Sequence, residues 1–334
     1  MSGGGMRSAV RDVAQIGRLS LLGGTWILIL LGTASVMSSV GLDREVCFCL
    51  LVAAAFHVSV YAFNDVVDLS LDRTQPRRSA SPLVRGTIGA PAVVAVAAGS
   101  AGLALVGAGA KGSEAFFYMA LALVLLLVYD GYGKRLAFPP ISDALQGFGW
   151  AALVFYAAAS TGEPHGSTTW IGAYTVLTIV LLNGVTGSVR DLPNDYSHGA
   201  RTTAIMLGAR PVGSLGASIP VGLAVYAGAL QLVLALTLLL GVVDLGGDFV
   251  QLRIGLGLAG NALAGVLLYA MLSRAPTGTG AWSFGLAHIV LTLLLPLLLV
   301  PGSFESSFVI AIGLLFGLPT AAVGLATVRW RRGI

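Results

Sequence analysis

Charge is scarce in this chain of 334 residues. Only 10% of the residues are Asp, Glu, Lys or Arg, against about 25% in an ordinary soluble domain. That shortage, with 56% hydrophobic residues, excludes a soluble globular protein and a disordered chain. Cysteine is nearly absent. Cys47 and Cys49 lie two apart in one apolar run, which suggests neither a disulfide framework nor a four-ligand zinc site. The net charge of +4 is weak, and no nucleic-acid partner is expected. No clear cleavage site follows the N-terminal arginines, so the first apolar run reads as a membrane span and not as a removed signal peptide.

What the chain has in abundance is apolar length. A helix crossing a bilayer needs roughly 20 apolar residues, because in lipid it must satisfy its own backbone hydrogen bonds. Ten runs qualify: 19–40, 46–63, 88–110, 115–129, 144–161, 168–189, 212–243, 254–272, 282–300 and 308–328. The fourth is short, and the seventh is long enough to be tilted or broken at a glycine. With ten spans, 16 of the 19 basic residues fall on one side, leaving only Arg44, Lys111 and Arg253 on the other. The positive-inside rule assigns the basic side, both termini included, to the cytoplasm. The expected organisation is a cytoplasmic arm (1–18), one transmembrane domain (19–328) with cytoplasmic cap loops at 64–87 and 190–211, and a basic tail (329–334). A multi-pass protein of the cell membrane follows, with the lipid bilayer as its surroundings. No protein partner is readable.

The acidic residues are few and grouped. Asn64, Asp65, Asp68 and Asp72, followed by Arg73, end the second span. Asp191, Asn194 and Asp195, preceded by Arg190, end the sixth. Four spans separate the groups, so both return to one face. His57, Tyr61, Asn64 or Asp65, Asp68 and Asp72 recur at three or four residues and form one helical stripe; Asn183, Gly187, Asp191 and Asp195 form another. Carboxylates four apart repel, at greater cost where partly desolvated. A divalent cation offsets that repulsion, and magnesium takes one or two carboxylates together with phosphate oxygens and water. Two facing groups can thus hold a metal-bridged diphosphate. The plainer alternative is two solvated helix ends paired with Arg73, Arg77 and Arg190, and the like spacing of two groups on one face weighs against it. A third element, Tyr129 to Arg135, lies on the same face. Lys134 suits phosphate oxygens, with Arg77, Arg78 and Arg201 as weaker candidates.

These motifs resemble those of the UbiA superfamily of intramembrane prenyltransferases, typified by 4-hydroxybenzoate polyprenyltransferase. The first signature, N-D-x-x-D-x-x-x-D, is complete as Asn64, Asp65, Asp68 and Asp72. The second, D-x-x-x-D followed by glycine and a basic-[ST]-T-A segment, is Asp191, Asp195, Gly199 and Arg201-Thr202-Thr203-Ala204. Tyr129 and Lys134 match the loop between them. The resemblance implies an all-α, nine-helix transmembrane core around a cavity open to lipid, with a tenth C-terminal span here. It implies two Mg2+ ions, an isoprenyl diphosphate as substrate, and transfer to a hydrophobic or aromatic acceptor. Asn64, Asp68 and Asp72 would serve one metal and Asp191 and Asp195 the other, with Asp65, Arg73 and Asn194 in support. Lys134, Arg77, Arg201 and Tyr129 would hold the diphosphate. His57, Tyr61, Asp143 and Asn183 are candidates for the acceptor or prenyl cavity, although Asp143 reads more simply as a helix N-cap, and Tyr61, Tyr129 and Tyr156 could face a carbocation. Three features depart from the family pattern: Pro193 inside the second motif, leaving open whether Asp191 and Asp195 share one helix; Gly199 where some relatives carry an acid; and the tenth span. Two other readings stay open. One is a terpene cyclase with the same metals and no acceptor. The other is a transporter or scaffold with an ion site, against which the carboxylates at one membrane edge argue.

Overall fold

The computed structural model describes residues 12, 14–75, 78–214, 216–278 and 280–314. The long elements are all helical: α1 (Leu22–Ala34), α2 (Arg44–Val67), the short α3 (Leu69–Asp72) and α4 (Pro82–Arg85), α5 (Ala90–Gly109), α6 (Ser113–Tyr132), α7 (Pro139–Thr161) and α8 (Gly166–Leu181). A π-helical segment (Leu182–Gly187) leads into α9 (Ser188–Ser197), followed by the short α10 (Thr203–Met206), α11 (Val221–Leu245), α12 (Val250–Arg274) and α13 (Ala281–Leu294). Seven helical stretches among the described residues are long and apolar enough to cross a membrane, the π segment and α9 extending α8 in one of them. The apolar stretch Leu19–Ala34 is shorter, and α7 adds 23 residues. The chain is therefore an integral, multi-pass, all-α membrane protein. The tenth apolar run falls mostly outside the described residues, as do Arg77 and the basic tail; residues 306–314 are helical.

Two spans end differently from their apolar runs. The first helix stops at Ala34, and Ser39–Val40 (β1) then pairs in parallel with Ser303–Phe304 (β4). The seventh begins only at Val221, because Gly213 takes a positive φ of 61° and turns Arg210–Val212 (β2) back on Gly216–Ser218 (β3) as a hairpin. Pro220 then provides the extended N-cap of α11.

Apolar side chains on the bundle's outside stay exposed, such as Leu103, Val106 and Val221, as expected where lipid is the solvent. Hydrophobicity then provides little drive between helices, so close backbone packing must hold them together. A Cβ added at Gly147 on α7 would lie 2.8 Å from the Val176 carbonyl oxygen of α8. Gly32 brings α1 equally tightly onto α7 beside Val154 and Ala157. Helix α7 thus packs against α1, α6 and α8, while α8 hands the ring on to α11, α12 and α13. A cavity of about 970 Å³ opens between the two halves.

Candidate active site

One rim of this cavity collects the acidic residues. Asn64, Asp68 and Asp72 line it from the end of α2 and from α3; Asp191 and Asp195 line it from α9. The first stripe bends at Asp68, where φ and ψ of −85° and 4° separate α2 from α3. The hydrogen bonds from Asp68 N to Asn64 O (2.9 Å) and from Asp72 N to Asp68 O (2.8 Å) keep the helical spacing across the bend. The second motif lies on one helix. Pro193 sits inside α9, and the π segment directly before it widens the turn, as inserted π turns do. The two cap loops are tied together where Thr74 Oγ1 donates to Asn194 Oδ1 at 3.2 Å.

Asp65 does not line the cavity. It is 2% exposed and forms the anchor behind the rim. Arg18 bonds it through Nε at 3.0 Å and through a second nitrogen, and Arg78 donates to the same carboxylate oxygen at 2.6 Å. Arg78 also donates to Asp72 at 2.9 Å. Burial works against the charge of the Arg78 guanidinium, but the bond to Asp72 and the charges of Asp65 and Asp72 hold its pKa above the ordinary value. Arg18 extends to Asn64 Oδ1 at 2.9 Å, and Asn64 Nδ2 donates to Asp130 Oδ1 at 3.0 Å and to Asp68 Oδ2 at 3.4 Å. The Arg18 guanidinium also stands 5.1 Å from the Tyr61 ring centre. On the opposite side Arg190 grips Asp191 with two bonds of 2.8 and 2.9 Å and lies 4.8 Å over the Trp282 ring.

Several of these residues carry no helical signal. Arg18 belongs to the segment expected to be a cytoplasmic arm, Asp130 falls in the stretch read as a loop but sits in the last turn of α6, Arg78 reads as a weaker phosphate candidate, and Arg190 as an ordinary salt-bridge partner. Only their contacts 46 to 66 residues away in sequence reveal Arg18 and Asp130. The proximity of Asp130 to Tyr129 in the loop motif was the one available hint.

The remaining sequence candidates separate. Tyr129, Tyr61, Asn183 and Arg201 line the cavity. Lys134 lies in the turn Gly133–Arg135, its side chain outside the described part. Arg73 is exposed and Tyr156 buried away from the cavity lining. His57 stands behind the wall, with Nδ1 at 2.7 Å from Thr25 Oγ1 and Nε2 at 3.2 Å from the Arg18 carbonyl oxygen. Asp143 is not an N-cap: α7 begins at Pro139, which is suited to a first helical turn, so Asp143 projects from within the helix. It lines the cavity and accepts a 2.5 Å hydrogen bond from Thr203 Oγ1.

Among the described residues no three His, Cys, Asp or Glu side chains close on one point. The rim instead offers carboxylate and amide oxygens without thiol or imidazole, from two sides of an open space. That donor set fits a hard cation that keeps water and substrate phosphate in its shell, as magnesium does.

Comparison with known proteins bears on the fold and the family. The sequence pattern of the UbiA prenyltransferase family matches residues 20–255. Among solved structures, a UbiA homologue from Archaeoglobus fulgidus bound to DMAPP and Mg2+ superposes with a TM-score of 0.63 at 17% identity, over 86% of this chain and 99% of that one. An apo UbiA homologue from Aeropyrum pernix K1 gives 0.60 at 20% identity, over 84% and 95%. A structure of digeranylgeranylglyceryl phosphate synthase gives 0.64 at 17% identity, over 91% and 98%. No curated protein sequence matches significantly. With the family pattern covering more than half of the chain and the same helical architecture beneath it, the chain belongs to the UbiA prenyltransferase family.

Proposed function

We propose that this enzyme ionises an isoprenyl diphosphate with the help of Mg2+ and transfers the prenyl group to an aromatic or lipid-like acceptor. One observation carries the reading. Asp68 and Asp72 of the first motif and Asp191 and Asp195 of the second, more than a hundred residues further on, line the same cavity, whose wall below the rim includes apolar Leu28, Val60, Leu126, Ile179 and Leu293. A diphosphate suits the rim and a hydrocarbon tail suits the wall. Asn64, Asp68 and Asp72 would hold one metal ion, and Asp191 and Asp195 the other. When bound, magnesium supplies positive charge against the phosphate oxygens, which stabilises the departing pyrophosphate.

The chain's own residues do the rest. Lys134 and Arg201 would bind phosphate oxygens, with Arg77 and Tyr129 as further contacts. Arg18 and Arg78 bridge Asp65 to Asn64 and Asp72 and so fix both at the rim. Apolar side chains exclude water from the allylic cation that forms as the C–O bond breaks. The rim faces the cytoplasm of a cell membrane, as the distribution of basic residues requires.

The test is to incubate purified protein with prenyl diphosphates of ten to forty carbons, with and without acceptors, and to follow pyrophosphate and product by mass spectrometry. Metal-dependent pyrophosphate release with a prenylated acceptor supports the proposal. A hydrocarbon or terpene alcohol formed equally well without acceptor refutes transfer in favour of cyclisation.

A further inference from the structure

Below the acidic rim, the cavity wall carries a second polar group that diphosphate binding leaves unused. Asp143 and Gln146 lie three apart on α7, and Asn183 and Thr186 lie three apart on the π segment facing them; all four line the cavity. Three atoms here are buried without a hydrogen-bond partner: Gln146 Oε1, Asn183 Nδ2 and Thr186 Oγ1. A buried polar atom left unsatisfied is costly and uncommon, and three of them around one cavity point to a ligand that completes them. Asp143 is held in position beside them. Thr203 donates to its Oδ2 at 2.5 Å, and a Cβ added at Gly184 would come within 3.0 Å of the same oxygen. The glycine in the π turn gives the carboxylate its room. A carboxylate accepts several hydrogen bonds, so Asp143 retains capacity for a hydroxyl.

We propose that Asp143, Gln146, Asn183 and Thr186 form the acceptor-recognition subsite, and that they select an uncharged head group bearing a hydroxyl over one bearing a carboxylate. This rests on the prenyl-transfer reading above. The neutrality follows from the charges among the described residues. Arg18, Arg78 and Arg190 are engaged by acidic partners at the rim, and Arg201 is exposed, so a carboxylate beside Asp143 would meet like charge in a site of low polarity. A hydroxyl instead donates to Asp143, while an amide donor and an amide acceptor stand ready for a second polar atom. Trp150 and Tyr61 complete the lining with aromatic surface for a ring or an apolar stem. A head group that enters the cavity must supply these bonds directly, since a polar group left unpaired by a ligand costs affinity.

The test uses the full chain in lipid nanodiscs with Mg2+ and the prenyl diphosphate that releases pyrophosphate fastest. Hydroquinone and 4-hydroxybenzyl alcohol serve as neutral acceptors, and 4-hydroxybenzoate as the charged one. The wild type should favour the neutral pair by roughly tenfold or more in kcat/KM. Gln146→Leu and Thr186→Val should raise the acceptor KM by about tenfold and leave the donor KM unchanged. Asp143→Asn, which keeps shape and can still accept from Thr203, should do the same and weaken the preference against 4-hydroxybenzoate. An unchanged acceptor KM in all three variants, a wild-type preference for the carboxylate, or pyrophosphate release with no transfer to either neutral acceptor overturns the subsite alone. Absence of pyrophosphate release from every donor in the wild type would instead sink the transferase reading, and this proposal with it.

Discussion

Asp65 and Asp68 are three residues apart and chemically identical, yet the structure gives them opposite duties. Asp65→Asn and Asp68→Asn should therefore separate stability from turnover. Asp65 is buried and holds two guanidinium groups, Arg18 and Arg78, which are themselves only 23% and 21% exposed in their side chains. Neutralising it leaves Arg18 with only the Asn64 amide oxygen in a poorly solvated position, and leaves Arg78 with Asp72 alone. Breaking a buried pair by removing one partner costs about 3–5 kcal/mol, and because both arginines keep some contact with water the lower end is the better figure, about 3 kcal/mol. At roughly 2–4 °C per kcal/mol for a large domain, the melting midpoint in detergent should fall by on the order of 10 °C. Asp68 is only half-buried at the cavity lining, and the amide of Asp68→Asn keeps its size and an acceptor oxygen, so the midpoint should stay within about 1 kcal/mol of wild type. Pyrophosphate release by Asp68→Asn should nevertheless drop by at least about a hundredfold, since a charge that fixes the metal is lost. Differential scanning fluorimetry alongside a pyrophosphate assay reads both quantities. A wild-type midpoint for Asp65→Asn, or a midpoint for Asp68→Asn as low as the one expected for Asp65→Asn, refutes the division between anchor and rim.

Three further outcomes follow from the same geometry. Asp191→Asn should lose turnover by about a hundredfold or more and release the Arg190 guanidinium, measurable as lost activity with an unchanged circular-dichroism melt; wild-type activity would remove Asp191 from the site. Chelation by EDTA should abolish pyrophosphate release and Mg2+ should restore it, whereas calcium, larger and less strict in its coordination, should restore it poorly; full activity in EDTA would exclude the metal. Gly147→Val should destabilise by more than about 3 kcal/mol, because the added group meets the backbone oxygen of Val176 at an interface that cannot move apart without opening α7 from α8. A variant that extracts and melts like wild type would contradict the close packing of those helices.

The residues whose roles were legible in the chain are those whose signal is periodic and local. Asn64, Asp68 and Asp72 announce themselves by helical spacing at the end of an apolar run, and Asp191 and Asp195 repeat the pattern. An even number of intervening spans was enough to bring both groups to one face. Asp65 was equally visible but its duty was not, since a stripe of spacing three and four does not say which of two adjacent residues turns toward the cavity and which toward Arg18. His57 shares the stripe and is occupied by Thr25 and the Arg18 backbone. Pro193 left open whether the second motif sits on one helix, and the structure keeps Asp191 and Asp195 together on α9 with Pro193 inside it.

Sequence by itself determined that this chain lives in a membrane, that it is built of helices, and that its few carboxylates gather at one edge. Each of these follows from the cost of exposing backbone or charge to lipid, a cost that applies residue by residue along the chain. Tertiary structure alone decided which arginines neutralise which acids, that Asp130 joins the rim through Asn64, and that Asp143 faces the π turn across the cavity. Apart from Arg190–Asp191 and Arg78–Asp72, which are near in sequence, those pairings join residues 13 to 66 positions apart. They depend on how helices with nearly featureless apolar faces pack side by side, and no periodicity in the chain encodes that.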